Sequence, residues 1–254
     1  MTSICDSIVL ISVVRDYDMY RRCFVENTHA QACQSHPIDN RQEQAHVSTQ
    51  YNRFLDAYDY SRPAWFVFCH EDFQLLGPLA PQVCKARRDC LYGPIGAWTK
   101  KRLHVFHSWR LAGQIIECRK DGSLETTVGK GDPMGTPVET FDCQCLIVHS
   151  DLIRTTGLRF DPNLSFDLYV EDFCIQAKEK YNIPSLILPL ACKHWSNGSV
   201  GERYHNQEKY LRTKYANCCY TGTSSYDIGS PSGLRRCSSL LKQVARKLLS
   251  IVRA

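Results

Sequence analysis

Apolar positions fall along this chain in two rhythms. Ile8 to Val14 (IVLISVV) is a continuous, β-branched run, apolar on both faces, as a buried parallel strand should be. Asp16 ends it, and a helical stretch is expected through about Gln34. Pro37-Ile38 reads as a short second strand, closed by Asp39-Asn40. Over 43–60, Val47, Tyr51, Phe54, Leu55 and Tyr58 recur near the helical period. Pro63 then resets the chain into a strand from Trp65 to Cys69. Strand, helix, strand, helix, strand is the order of a parallel sheet with helices on both faces.

The second half alternates less regularly. A strand is expected over 90–98 (CLYGPIGAW), and 119–138 is rich in Gly, Pro, Thr and Lys, as in a hairpin or loop. CQCLIV at 143–148 reads as a strand. Ser150 caps a short helix that Gly157 ends. Residues 169–181 have Val170, Phe173, Cys174 and Ala177 on one helical side. Pro184 to Leu190 is the expected last strand, and 202–218 a polar helix. The predicted organisation is one α/β domain over 1–220, a linker over 221–233 (TGTSSYDIGSPSG) and a basic amphipathic helix over 234–254.

Composition narrows the functional classes. A chain of 254 residues, 43% hydrophobic, can bury a substantial core. The net charge of +5 is mild and partly confined to the tail, so nucleic acid is not an expected partner. In the tail, Leu240, Leu241, Val244, Leu248, Ile251 and Val252 share a helical face against Lys242, Arg246, Lys247 and Arg253. Such a helix suits an anionic membrane surface, and equally a partner subunit or its own domain. No leader is expected at the N-terminus, and no run reaches the roughly 18 apolar residues of a membrane span. The 14 cysteines form no C-x-x-C and no zinc-finger spacing, so reduced thiols and a cytoplasmic location are expected, peripheral at the inner membrane face if the tail binds lipid.

Two acidic pairs carry the candidate chemistry. WFVFCHEDFQL places His70, Glu71 and Asp72 where a central strand ends, the edge at which open parallel sheets bind ligands. Carboxylates there suit Mg2+ or Mn2+ shared with substrate phosphates; a solvated turn after the strand is the plainer alternative. LYVEDFC places Glu171 and Asp172 near a helix start. There they serve the helix dipole, or one of them acts as a general base. Adjacent side chains diverge by about 100° on a helix, so one acid faces a pocket.

These pieces, taken in order, resemble a GT-A glycosyltransferase of the family 2 type, in a bacterial subgroup with His-x-Asp in place of Asp-x-Asp. The resemblance runs over residues 7–216. It rests on ISVVRD, Asp39-Asn40, the Ser48-to-Asn52 spacing, FVFCHED, VETFD before CQCLIV, GLRFDPNLSFDLYVEDFCIQA and PLACKHWSNGS. It implies a GT-A (Rossmann-like) mostly parallel sheet flanked by helices, a divalent cation (Mn2+ or Mg2+), a nucleotide-sugar donor with uridine diphosphate favoured, and a glycan or lipid-linked acceptor. Inverting transfer in glycan or surface polysaccharide synthesis follows from it.

By the same resemblance, Asp72 holds the metal, with Glu71 and His194 as further candidates, and His70 contacts phosphate or ribose. Asp16, Asp39 and Asn52 would lie on the nucleotide side. The acid pair would supply the base, Asp172 preferred over Glu171. Asp142 would lie near the acceptor; Trp98, by its own aromatic ring and not by the resemblance, is a candidate to stack on a sugar on the acceptor side, with core packing the plainer alternative. Cys143 departs from the small residue common at its position. Two rival functions remain: a nucleotidyltransferase, opposed by the missing Gly-rich phosphate loop near VVRDYD, and a non-catalytic sugar-binding relic, opposed by the retention of both acid pairs.

Overall fold

A computed structural model describes residues 6–102, 106–196, 201–224 and 228–229. The side chains of 100–109 and 229 lie outside that description, as does the expected C-terminal helix. A seven-stranded mixed sheet forms the centre. Its order is Gln34–Asp39, Ser7–Val14, Ala64–Cys69, Cys145–His149, Leu91–Gly93, Ser185–Ile187 and Pro137–Val138. The first three are parallel. Cys145–His149 runs antiparallel to both its neighbours, and Pro137–Val138 antiparallel to Ser185–Ile187. Five strands therefore share one direction, the mostly parallel α/β sheet expected from the alternation.

Both faces of Ser7–Val14 and Ala64–Cys69, the first and third strands in the chain, are buried, which is why their sequences are apolar without alternation. One face packs Val9, Ile11, Phe66 and Phe68 against helices Val47–Ala57 and Tyr169–Tyr181. The other packs Leu10, Trp65 and Val67 against Met19, Tyr20 and Phe24 from the helical turns Tyr17–Tyr20 and Arg21–Val25. The second strand starts at Gln34, ahead of Pro37, and ends as expected at Asp39. The helix expected over 43–60 is trimmed to Val47–Ala57.

The expected strand at 90–98 is two strands in two sheets. Leu91–Gly93 belongs to the central sheet, and Ile95–Arg102 to a second sheet. Pro94, which has no N–H to give a ladder, marks the break. Gly93 permits the crossing, since a Cβ there would meet the Phe141 ring at 2.7 Å. The second sheet runs Thr140–Phe141, Ile95–Arg102, Phe106–Cys118, Cys192–Trp195 and Phe73–Leu75, with Glu125–Gly129 also paired to Phe106–Cys118. Its long strand Phe106–Cys118, and the strand Cys192–Trp195 beyond the expected last strand, were not legible in the sequence.

The loop after Gly129 folds back on this sheet: Lys130 N–H bonds the Gly113 carbonyl, and Asp132 accepts from Gly113 N–H. Beyond helix Glu202–Lys214, Thr221 is buried, its N–H on Glu139 and its carbonyl on the Thr140 hydroxyl. Eleven described cysteines are free, whereas Cys84 is disulfide-bonded, which corrects the all-reduced expectation at that position. No described helix is long and apolar enough to cross a membrane.

Candidate active site

The two sheets meet at the end of the strand Ala64–Cys69. There His194 aligns with Phe73 on one side and Glu117 on the other, and Trp195 N–H bonds the Asp72 carbonyl at 2.9 Å. This register brings His194 to His70 and Asp72 from more than a hundred positions away. One potential ligand atom from each of His70, Asp72 and His194 lies within 4.8 Å of the others.

Hydrogen bonding fixes how both imidazoles present themselves. The Tyr169 hydroxyl donates to the Cys143 carbonyl at 2.7 Å, so its oxygen accepts from His70 Nε2–H at 3.0 Å. His70 Nδ1 is then the lone-pair nitrogen, 3.9 Å from Asp72. Burial holds the His70 pKa down to about 4, so the ring is neutral. His194 Nδ1 donates to the Glu117 carboxylate at 3.2 Å, which turns Nε2 toward Asp72 Oδ1 at 3.3 Å. Burial disfavours charge on His194, but Asp72 and Glu117 outweigh it and lift its pKa to about 10. Burial likewise opposes ionisation of Asp72, and His194 and His70 outweigh it to hold the carboxyl below its ordinary value.

Asp72 Oδ1 is buried and makes no hydrogen bond, its contact to His194 at 3.3 Å being an ion pair. A buried carboxylate oxygen without a hydrogen bond is costly even beside a cation. The two imidazole nitrogens beside that carboxylate oxygen fit a divalent cation, which would replace the His194 Nε2 proton and leave positions open for other oxygens. Glu117 behind His194 and Tyr169 behind His70 are the outer partners that orient such ligands.

Glu71 turns elsewhere. Its carboxylate accepts from Arg15 N–H at 2.5 Å and Asp16 N–H at 3.1 Å, tying the end of the first strand to the end of the third. Asp16 caps the helical turn Tyr17–Tyr20 through Met19 N–H, with Lys120 at 3.7 Å. Asp39 lies nearby on the exposed rim, where Arg41 bonds it, holds its carboxyl down to about 2 and covers the Tyr17 ring. Asn52 is engaged away from the triad: its amide clamps both backbone groups of Phe160, donating at 2.8 Å and accepting at 2.9 Å.

The acid pair divides. Asp172 is fully buried with both oxygens engaged, accepting from Lys214 at 2.6 Å, Tyr215 at 2.7 Å and Gln176 at 2.6 Å. Lys214 also holds Asp161, so this network fastens helix Glu202–Lys214 to helix Tyr169–Tyr181. Glu171 faces the other way. It takes the Cys143 thiol at 3.0 Å, and burial, then the charges of Asp142 and Asp167, push its pKa up to about 8. Asp142 and Asp167 also act electrostatically on His70, so Glu171 and the triad share one neighbourhood.

Asp142 accepts from Gln144 N–H and the Thr223 hydroxyl. Trp98 packs on the core with its indole N–H buried and without a hydrogen bond, and Arg110 stands over the ring at 5.6 Å. Phe166, 40% exposed, stacks on His70 at 4.9 Å and carries Arg203 on its ring. Sequence reasoning passed over Tyr169, Glu117, Phe166 and Gln144. Tyr169 stood next to the quoted acid pair, while Glu117 sits on a strand that carried no readable signal. A separate cavity of about 370 Å³, lined by His36, Gln50, Arg53, Phe54 and Tyr58 among others, holds none of the triad.

No family model and no curated protein matches this chain. Among solved structures, the chain is similar over 85% of its length to 51% of GalNAc-T7, determined with UDP, GalNAc and Mn2+, at 10% identity and a TM-score of 0.47. It thus spans about half of that protein. It is similar over 89% of its length to 95% of A197 from STIV, at 11% identity and a TM-score of 0.39. Neither likeness is close enough to say what this chain does; its own sheets and side chains carry the functional reading.

Proposed function

We propose that this protein is a metal-dependent glycosyltransferase that moves a sugar from a nucleoside-diphosphate sugar to a hydroxyl acceptor. One observation carries the reading: a buried carboxylate oxygen of Asp72 that makes no hydrogen bond lies between two imidazoles whose far nitrogens are already held. A bound divalent cation would neutralise charge on the departing diphosphate. His70, Asp72 and His194 would hold it. With two nitrogen ligands, Mn2+ suits the set better than Mg2+, which favours oxygen. Glu71 supports the site by fixing the strand ends.

Glu171 is the general base in this proposal. It is buried beside Asp142 and tuned to about 8, close to working pH, whereas both oxygens of Asp172 are already engaged, by Lys214, Tyr215 and Gln176. The change from the Asp172 expected by resemblance has that reason. Glu171 takes the proton as the acceptor hydroxyl attacks the anomeric carbon opposite the diphosphate, an inverting transfer. Asp142 and Trp98 form the acceptor side, and Asp16 and Asp39 the nucleotide side, with uridine favoured by the sequence resemblance. Asn52 supports the acid helix by fixing the backbone of Phe160, whose ring packs on Phe173. A glycan or lipid-linked acceptor, a polysaccharide pathway and a peripheral place at the inner membrane face belong to the same proposal.

The test is a donor-hydrolysis screen across nucleotide sugars with Mn2+. Release of the nucleoside diphosphate from one of them, abolished by Asp72→Ala in a chain that still folds, supports the proposal. Undiminished release by that variant removes it.

A further inference from the structure

Six buried Asn and Gln side chains occur among the described residues: Asn27, Asn40, Gln50, Gln144, Gln176 and Gln207. Five are hydrogen-bonded. Asn27 holds Leu75 and His29, Asn40 holds Ala45, Gln50 holds Asn40, Gln176 holds Asp172, and Gln207 holds Ser165 and Asp167. Gln144 is the exception. It is 1% exposed, and both its Nε2 and its Oε1 are buried with no partner. A buried amide satisfied at neither end is rare and calls for a partner, a water or a ligand group.

Its place in the chain says which occupant. The Gln144 carbonyl accepts His70 N–H at 3.1 Å, and its own N–H bonds Asp142 at 3.2 Å. The preceding residue, Cys143, bonds Glu171. The Gln144 backbone therefore joins the triad, where the diphosphate would sit, to the acids, where the acceptor would sit. A transferred sugar would lie between those two groups.

The ligand chemistry is equally restrictive. The diphosphate oxygens of a nucleotide sugar carry no proton at neutral pH, so they only accept and would leave Oε1 bare. A sugar hydroxyl both donates and accepts, so neighbouring hydroxyls can satisfy Nε2–H and Oε1 together. We propose that the Gln144 carboxamide is a specificity-determining contact to hydroxyl groups of the transferred sugar. This rests on the transferase reading above.

The experiment measures affinities of the full chain with Mn2+ for uridine diphosphate and for its glucose, galactose, N-acetylglucosamine and N-acetylgalactosamine esters. Natural protein is compared with Gln144→Met, which keeps the volume and removes the polar atoms. For the preferred sugar, the nucleotide-sugar to nucleotide affinity ratio should fall about tenfold in the variant, with uridine diphosphate itself bound within about twofold of the natural protein. The melting temperature should not fall, since an unpaired amide has been removed.

An unchanged ratio for all four sugars overturns the proposal, and is the result expected if Gln144 holds only water. Natural protein that does not bind uridine diphosphate with Mn2+ at all points instead to failure of the transferase reading. Should Gln144→Met not fold, Gln144→Glu carries the same comparison: it keeps the volume and an acceptor but loses the N–H donors.

Discussion

Replacing Glu171 by Gln separates what this buried acid does for the fold from what it does for turnover. The folded pKa is about 8 against an ordinary value of 4.5, raised mainly by burial and next by Asp142 and Asp167. A carboxyl raised on folding contributes stability that is fully present below the unfolded pKa and is lost as pH rises through the folded one. The loss therefore runs from about pH 4.5 to pH 8. At about 1.4 kcal/mol per pKa unit, it is on the order of 3–5 kcal/mol between pH 5 and pH 9. Gln cannot ionise, and its carbonyl still accepts the Cys143 thiol.

Urea unfolding of metal-free protein from pH 5 to pH 9 should show the natural chain losing stability relative to Glu171→Gln by that amount, with the gap opening across the window. In the donor-hydrolysis or transfer assay the natural protein should quicken as pH rises toward 8, because the base must be ionised. Glu171→Gln should be slower by about 10²–10⁴. Parallel stability curves for the two proteins would refute the buried-acid assignment, and full activity in the variant would refute the base.

Two further substitutions test the supports of the site. Lys214→Met leaves Asp172 and Asp161 without their shared cation, and should cost about 3 kcal/mol in urea unfolding; a change below about 0.5 kcal/mol would show that the two helices do not depend on that ion network. Asn52→Leu leaves Phe160 N–H and C=O unpaired and should cost about 2 kcal/mol, with an unchanged unfolding midpoint counting against the clamp.

The sequence made the sheet legible where both faces are buried. Ile8–Val14 and Trp65–Cys69 are apolar without interruption because helices cover both sides. The strands of the second sheet gave little sign of themselves. Phe106–Cys118 mixes His, Ser, Arg and Gln with its apolar positions, and Cys192–Trp195 is only four residues long. The site suffered accordingly. His70, Asp72 and His194 were nameable from strand ends, but Glu117 was not. The division of Glu171 from Asp172 depends on Lys214 and Tyr215 arriving from a later helix, which no local pattern encodes.

The central claim is that His70, Asp72 and His194 hold one divalent cation. A calorimetric titration of the purified, metal-stripped chain with Mn2+ in the presence of uridine diphosphate tests it most directly. The expected result is one Mn2+ per chain, lost in both Asp72→Asn and His194→Ala while their folds persist. Mn2+ binding that survives both substitutions, or no binding by the natural chain, would contradict it.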